Sequence, residues 1–237
     1  MDRGRAHVVW TEARGILHVV HDSSGLGVPA IVAERGSRQR IAITPDGCPQ
    51  IVWQANRIEY LGFERAGSDC VPRPLQVLNE RDNETQDRLP IIAADPAGAG
   101  WISTLRSRPI DRWYDRLHVT RIAGGREDPP IRADFDPTRL YLGTHDLAVT
   151  ADGRVHLARL ASGPRFGDLV RVALEGQRLG PVRKVSDLDA GTFTRRGALS
   201  FALASAGPRL VAVWFTTDDY DGDGVEDTDV VYRLIDP

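Results

Sequence analysis

The densest set of chemistry-bearing side chains is Asp219-Tyr220-Asp221-Gly222-Asp223-Gly224-Val225-Glu226-Asp227. Carboxylates at the first, third, fifth and ninth positions, with glycine at the sixth for the sharp turn, gather hard oxygens on one side of a tight loop. Ca2+ takes about 6–8 such oxygens, and the Val225 carbonyl stands at the seventh position. The bidentate Glu of an EF-hand is absent: Val230 holds its place, with Asp229 as the nearest substitute. The spacing predicts a shortened, structural Ca2+ loop whose ligands are Asp219, Asp221, Asp223, the Val225 carbonyl and Asp227. Its alternative is a solvated acidic hairpin.

A second cluster is Arg106-Ser107-Arg108-Pro109-Ile110-Asp111-Arg112-Trp113-Tyr114-Asp115-Arg116. Trp113 and Tyr114 offer flat apolar surfaces for a sugar ring, and Arg108 and Arg112 can fork onto a carboxylate. These four are the candidate ligand-binding residues; the plainer reading is a long loop whose aromatics pack on a neighbouring element. The histidines (His7, His18, His21, His118, His145, His156) show no metal spacing, and no Gly-x-Ser-x-Gly elbow supports nucleophilic catalysis. His18 and His21, three apart in one strand, point to opposite faces. Trp10, Trp53, Trp101 and Trp214 recur at corresponding strands and read as core.

The elements that position these groups are short strands. Ile41-Ala42-Ile43-Thr44-Pro45-Asp46-Gly47 leads into Gln50-Ile51-Val52-Trp53, and Leu147-Ala148-Val149-Thr150-Ala151-Asp152-Gly153 leads into Val155-His156-Leu157-Ala158. Looser copies begin at Pro90 and Ala198, with Asp95 aligned to Asp46 and Asp152. Each copy continues with an alternating third strand, as in Leu169-Val170-Arg171-Val172, and four carry a proline-led strand opening at Pro29, Pro74, Pro130 or Pro181. Period-two alternation bounded by Gly, Pro and Asp is the strand signature, and proline suits the start of an edge strand.

With the strands labelled A to D, the chain reads B-C-D, three A-B-C-D units and a closing A-B-C, 18 strands by this reading of the sequence. Radial repetition of antiparallel meanders is the β-propeller plan. The expectation is an all-β single domain over 1–237, a β-propeller of about five four-stranded units at 6–33, 38–78, 88–133, 145–186 and 197–235. The first and last units are irregular, or the chain belongs to a longer one. A β-sandwich is the alternative, but leaves the ordered proline-led strands unexplained.

Cys48 and Cys70 fall at the A–B and C–D turns of one unit, two strand spacings apart, roughly 10 Å before the loops bend. A disulfide is within reach once the Cα atoms approach to about 7 Å. The even cysteine count and the Asp-rich loop suit a secreted, periplasmic or cell-surface protein.

Composition narrows the function classes. Of 237 residues, 41% are hydrophobic and 27% charged, which excludes disordered and fibrous classes. No apolar run is long enough for a membrane span. The net charge of -3 argues against a nucleic-acid partner, even though Lys184 is the one lysine and the remaining basic residues are arginine.

Gly180-Pro181-Val182-Arg183-Lys184-Val185-Ser186-Asp187, Ile41–Gly47 and His7-Val8-Val9-Trp10 resemble strands of the sialidase-like (BNR-like) propeller superfamily of bacterial exported proteins. The resemblance implies the fold far more than an activity. The Asp-box Ser-x-Asp-x-Gly-x-x-Trp of true sialidases is absent, with Asp95 and Trp101 out of register and Asp46 and Gly47 adjacent. No catalytic residue is therefore carried over. The functional expectation is a Ca2+-stabilised binding module that meets a glycan or protein surface through its B–C and D–A loops. Its rivals are a propeller glycoside hydrolase or lyase, with Glu12, Asp111, Asp115 and Asp168 as carboxylates near B–C loops, and a structural piece of a larger surface protein.

Overall fold

The computed structural model describes residues 4–78, 86–107, 116–133, 140–162, 168–176, 178–185, 201–216 and 229–236. Within them every regular element is a strand, and every pairing between strands is antiparallel. Five sheets follow one another along the chain. The first holds β1 (Ala6–Glu12), β2 (Gly15–Asp22), β3 (Gly25–Leu26) and β4 (Ala30–Ala33). The second holds β5 (Ser37–Ile43), β6 (Pro49–Gln54), β7 (Ile58–Ala66), β8 (Asp69–Pro72) and β9 (Gln76–Leu78). The third holds β10 (Gln86–Ala94), β11 (Gly100–Ser107), β12 (Arg116–Ala123), β13 (Arg126–Glu127) and β14 (Ile131–Ala133). The fourth holds β15 (Leu140–Val149), β16 (Val155–Ser162), β17 (Asp168–Glu175), β18 (Arg178–Leu179) and β19 (Arg183–Lys184). The fifth has three strands, β20 (Phe201–Ala206), β21 (Arg209–Thr216) and β22 (Asp229–Ile235).

The described residues form 22 strands rather than 18. The additional four, β3, β8, β13 and β18, lie between each C strand and its D strand and fold back on the far end of C. Turns of two residues make this possible: Ala66 pairs with Asp69 across Gly67-Ser68, and Ala123 with Arg126 across Gly124-Gly125. Gly124 and Gly125 both hold positive φ (58° and 78°), the conformation a primed hairpin turn requires. The C strand thus carries two partners end to end, as β17 does with β18 and β19. Pro29, Pro74, Pro130 and Pro181 precede their D strands by one or two residues instead of opening them, which leaves the ladder to residues that carry an N–H.

The chain divides at Ala133 into two compact units. In the first, the second sheet is buried on both faces. Ile51 and Trp53 pack with Ile16 of the first sheet, while Val52 and Tyr60 pack with Ile92 and Ile102 of the third. Ile51, Val52 and Trp53 are all 0% exposed, which is why this strand reads as a continuous apolar run. Stacking on both faces is incompatible with a two-sheet sandwich. In the second unit, Ala158, Leu160 and Leu169 of the fourth sheet pack on Leu203, Leu210, Ala212 and Trp214 of the fifth.

The A–B turns are built alike. Thr44, Asp95 and Thr150 each donate their N–H to the carbonyl four residues on, and Gly47, Gly98 and Gly153 close the turn with φ of 82–84°. In two of the turns a threonine hydroxyl bonds the aspartate two residues on, Thr44 with Asp46 and Thr150 with Asp152. Asp95 occupies the threonine place, not that of Asp46 and Asp152 with which the sequence aligned it. Its carboxylate accepts from the Ala97 and Ala99 N–H groups (2.9 Å each) and from Trp101 Nε1 (3.1 Å). Asp95 and Trp101, out of register as letters, are therefore in contact.

Candidate functional site: a basic cleft in the fourth sheet

Arg108, Arg112, Trp113 and Tyr114 lie outside the described residues, as do Asp219, Asp221, Asp223, Val225 and Asp227. The strands flanking both segments are described: Arg106 pairs with Arg116, and Thr216 with Asp229, so both segments connect a B strand to a C strand. Cys48 and Cys70 are joined by a disulfide, Cα–Cα 5.5 Å, between the A–B turn of the second sheet and β8. Beside it Arg65 reaches the Asp46 carbonyl, tying the same turn to β7.

One histidine pairing emerges in addition. His7 Nδ1 lies 3.0 Å from His18 Nε2, with the rings stacked at 5.2 Å, and His21 is on the opposite face as the strand period requires. Burial, and then the neighbouring His7, push the pKa of His18 down to about 4. No three His, Cys, Asp or Glu side chains gather as a metal site among the described residues.

Several carboxylates are committed to structure. Glu12 accepts from Arg14 on an exposed turn, and Asp87 holds Arg106 through two bonds of 2.8 and 2.9 Å. Asp146 accepts from the Leu147 and Leu203 N–H groups, the second a tie from the fourth sheet to the fifth. Asp111 and Asp115 lie outside the described residues.

A cleft of about 100 Å³ opens in the fourth sheet, with His156, Arg171, Glu175, Arg154 and Arg183 on its walls and Pro181 at its rim. It sits at the end where β15 turns into β16 and β17 into β18, opposite the B–C connections to which the sequence directed ligand binding. The strands bring its residues together by register. His156 faces Ala173, Ala158 faces Arg171, and Arg171 is directly opposite Arg183 of β19. His156 is 1% exposed and Arg171 5%. Arg171 donates to the Asp236 carbonyl (3.0 Å) and contacts His156 Nδ1 at 3.3 Å. The Asp236 carboxylate itself is occupied by Arg209 (3.0 Å), and Arg154 is taken up by Asp152 (3.2 Å). Burial, then the Arg171 charge, lower the His156 pKa to about 4. Burial and the adjacent Arg183 lower that of Arg171.

Sequence reasoning missed this cleft. Val170-Arg171-Val172 reads as an alternating strand with its arginine in water, which holds only when one face is solvated. Here the Leu169 face is covered by the fifth sheet, and Arg171 is buried with it. The two arginines, Arg171 and Arg183, lie on C and D strands, and nothing in their spacing announces that they pair.

No protein-family model matches the chain, and no curated protein sequence matches it. Solved structures do. The polysaccharide lyase Uly1 aligns with TM-score 0.57 at 11% identity over 98% of this chain and 55% of that one. AofleA from Arthrobotrys oligospora aligns at 0.55 and 10% identity, over 98% and 71%. The Aleuria aurantia lectin, described as a six-bladed β-propeller, aligns at 0.45 and 10%, over 98% and 78%. At these identities the likeness concerns fold.

Proposed function

We propose that this chain is a carbohydrate-binding β-propeller module of the sialidase-like architectural type, exported and stabilised by Ca2+ in the 219–227 loop, which holds its glycan without cleaving it. The carrying observation is the contrast between carboxylates and arginines. Among the described residues, Asp87, Asp95 and Asp146 are each held in structural hydrogen bonds, whereas a glycosidase needs two carboxyl groups free to face one another across a pocket. The cleft offers one carboxylate, Glu175, among arginines. Five successive antiparallel sheets support the propeller, and the likeness to Uly1, a polysaccharide lyase, supports the carbohydrate reading. Arg108, Arg112, Trp113 and Tyr114 are a separate proposed contact, for a glycan or for a protein surface. A glycan array probed with and without calcium tests the reading. Retention of a defined set of glycans, weakened by chelator, is the expected result. An array blank at micromolar protein overturns it.

A further inference from the structure

We propose that the fourth-sheet cleft is an oxyanion site, in which His156, Arg171 and Arg183 take a carboxylate or sulfate group of an acidic saccharide. Four observations converge on it. First, Arg171 and Arg183 are directly opposed across the β17–β19 ladder, an arrangement in which like charges repel. Second, Arg171 is buried yet its hydrogen bonds go to a neutral carbonyl and an imidazole, with no carboxylate among the described residues bridging to it. Burying a guanidinium without a counter-charge is costly, and an incoming anion offsets both that cost and the repulsion through charge-assisted hydrogen bonds.

Third, His156 supplies an unused donor. The Arg171 guanidinium can only donate, so His156 Nδ1 accepts and the ring proton resides on Nε2. That Nε2 is buried with no hydrogen-bond partner, and His156 is one of the residues that line the cleft. Fourth, the neighbouring acids do not fill the site. Asp152 and the Asp236 carboxylate are paired with Arg154 and Arg209. Glu175, exposed at the mouth, rests its Oε1 against Gly180 rather than on either arginine. A cleft of about 100 Å³ admits an oxyanion with a water, and leaves a sugar ring to lie outside on Pro181. The site deepens the carbohydrate reading and rests on it only for the carrier of the anion.

The test uses three probes: inorganic sulfate, a galacturonate trisaccharide and a galactose trisaccharide. Each is titrated calorimetrically at constant ionic strength, with the His156 Nε2 resonance followed in parallel. Sulfate and galacturonate are expected to bind and shift Nε2, and galactose is not. Arg183→Ala is expected to lose at least tenfold in affinity for both anions, with Arg183→Lys recovering part of it. Because it removes a like-charge neighbour, Arg183→Ala without ligand melts at or above the wild-type temperature. Binding of sulfate alone assigns the cleft to a free anion and overturns the saccharide carrier. No binding of either anion at 10 mM, or affinity unchanged in Arg183→Ala, overturns the site. A glycan array in which Arg183→Ala retains every acidic glycan overturns the saccharide carrier while leaving carbohydrate binding intact.

Discussion

Replacing Asp95 by alanine strands three hydrogen-bond donors, the Ala97 and Ala99 N–H groups and Trp101 Nε1, and breaks a 3.7 Å ion pair with Arg121. The three are not equivalent. Ala97 is exposed and its N–H recovers a water, whereas Ala99 is 3% exposed and Trp101 half-buried. A hydrogen bond to a charged acceptor contributes about 1.5–3 kcal/mol, and a buried donor left unmade forfeits the upper end. The expected cost is about 3–4 kcal/mol, or roughly 6–15 °C in Tm for a domain of this size. Asp152→Ala is the control. Asp152 occupies the other place in its turn, on the surface, and Thr150 keeps its own bond to the Arg154 carbonyl. Asp95→Thr, which installs the residue the other two turns use, recovers a substantial part of the loss. Thermal melts of the three variants, read by tryptophan fluorescence, decide it. Equal and small losses for Asp95→Ala and Asp152→Ala refute the assignment of Asp95 to the threonine place.

Acid is expected to weaken the fold through His18 and His156. Both have folded pKa values near 4, below the usual 6.5, so the unfolded chain binds the extra protons and stability is lost as pH falls from 6.5 to 4. The loss by pH 4.5 is about 2–3 kcal/mol for each, seen as a lower urea midpoint at pH 4.5 than at pH 7; a flat profile contradicts it. Reduction of Cys48–Cys70, which closes a loop of sequence separation 22, costs about 3 kcal/mol on chain entropy, and alkylation of folded protein without reductant labels neither thiol. Two labelled thiols end that assignment. Calcium at 100 times its dissociation constant raises stability by about 2.7 kcal/mol, chelator reverses it, and Asp221→Ala abolishes the response. Identical melts with calcium and with chelator reduce the 219–227 segment to an acidic hairpin.

The strands were legible because their faces are simple. Ile51-Val52-Trp53 is apolar on both sides and buried on both, and the Asp-Gly turns fall where Gly47 and Gly153 close them. The short strands β3, β8, β13 and β18 were not legible, since two to four residues after a tight turn carry no period. Asp95 was misaligned because the turn's pattern is a hydrogen-bond pattern, which Asp and Thr satisfy equally, not a letter pattern. The cleft was hidden for a related reason. Alternation tells which residues share a face, but the cover on that face comes from the fifth sheet, dozens of residues away. Chemistry-rich segments such as 106–116 and 219–227 drew the sequence reading toward loops, while His156, Arg171 and Arg183 were scattered over three strands and became a site only through register.

The central claim is that this protein holds a glycan without cutting it, and mass spectrometry of the glycan tests that most directly. The glycan that the array identifies is incubated with stoichiometric protein and calcium, released by denaturation, and weighed. A binding module returns the captured glycan at unchanged mass however long the incubation. Shortened or unsaturated products that accumulate in proportion to protein would contradict it and make the molecule a hydrolase or a lyase.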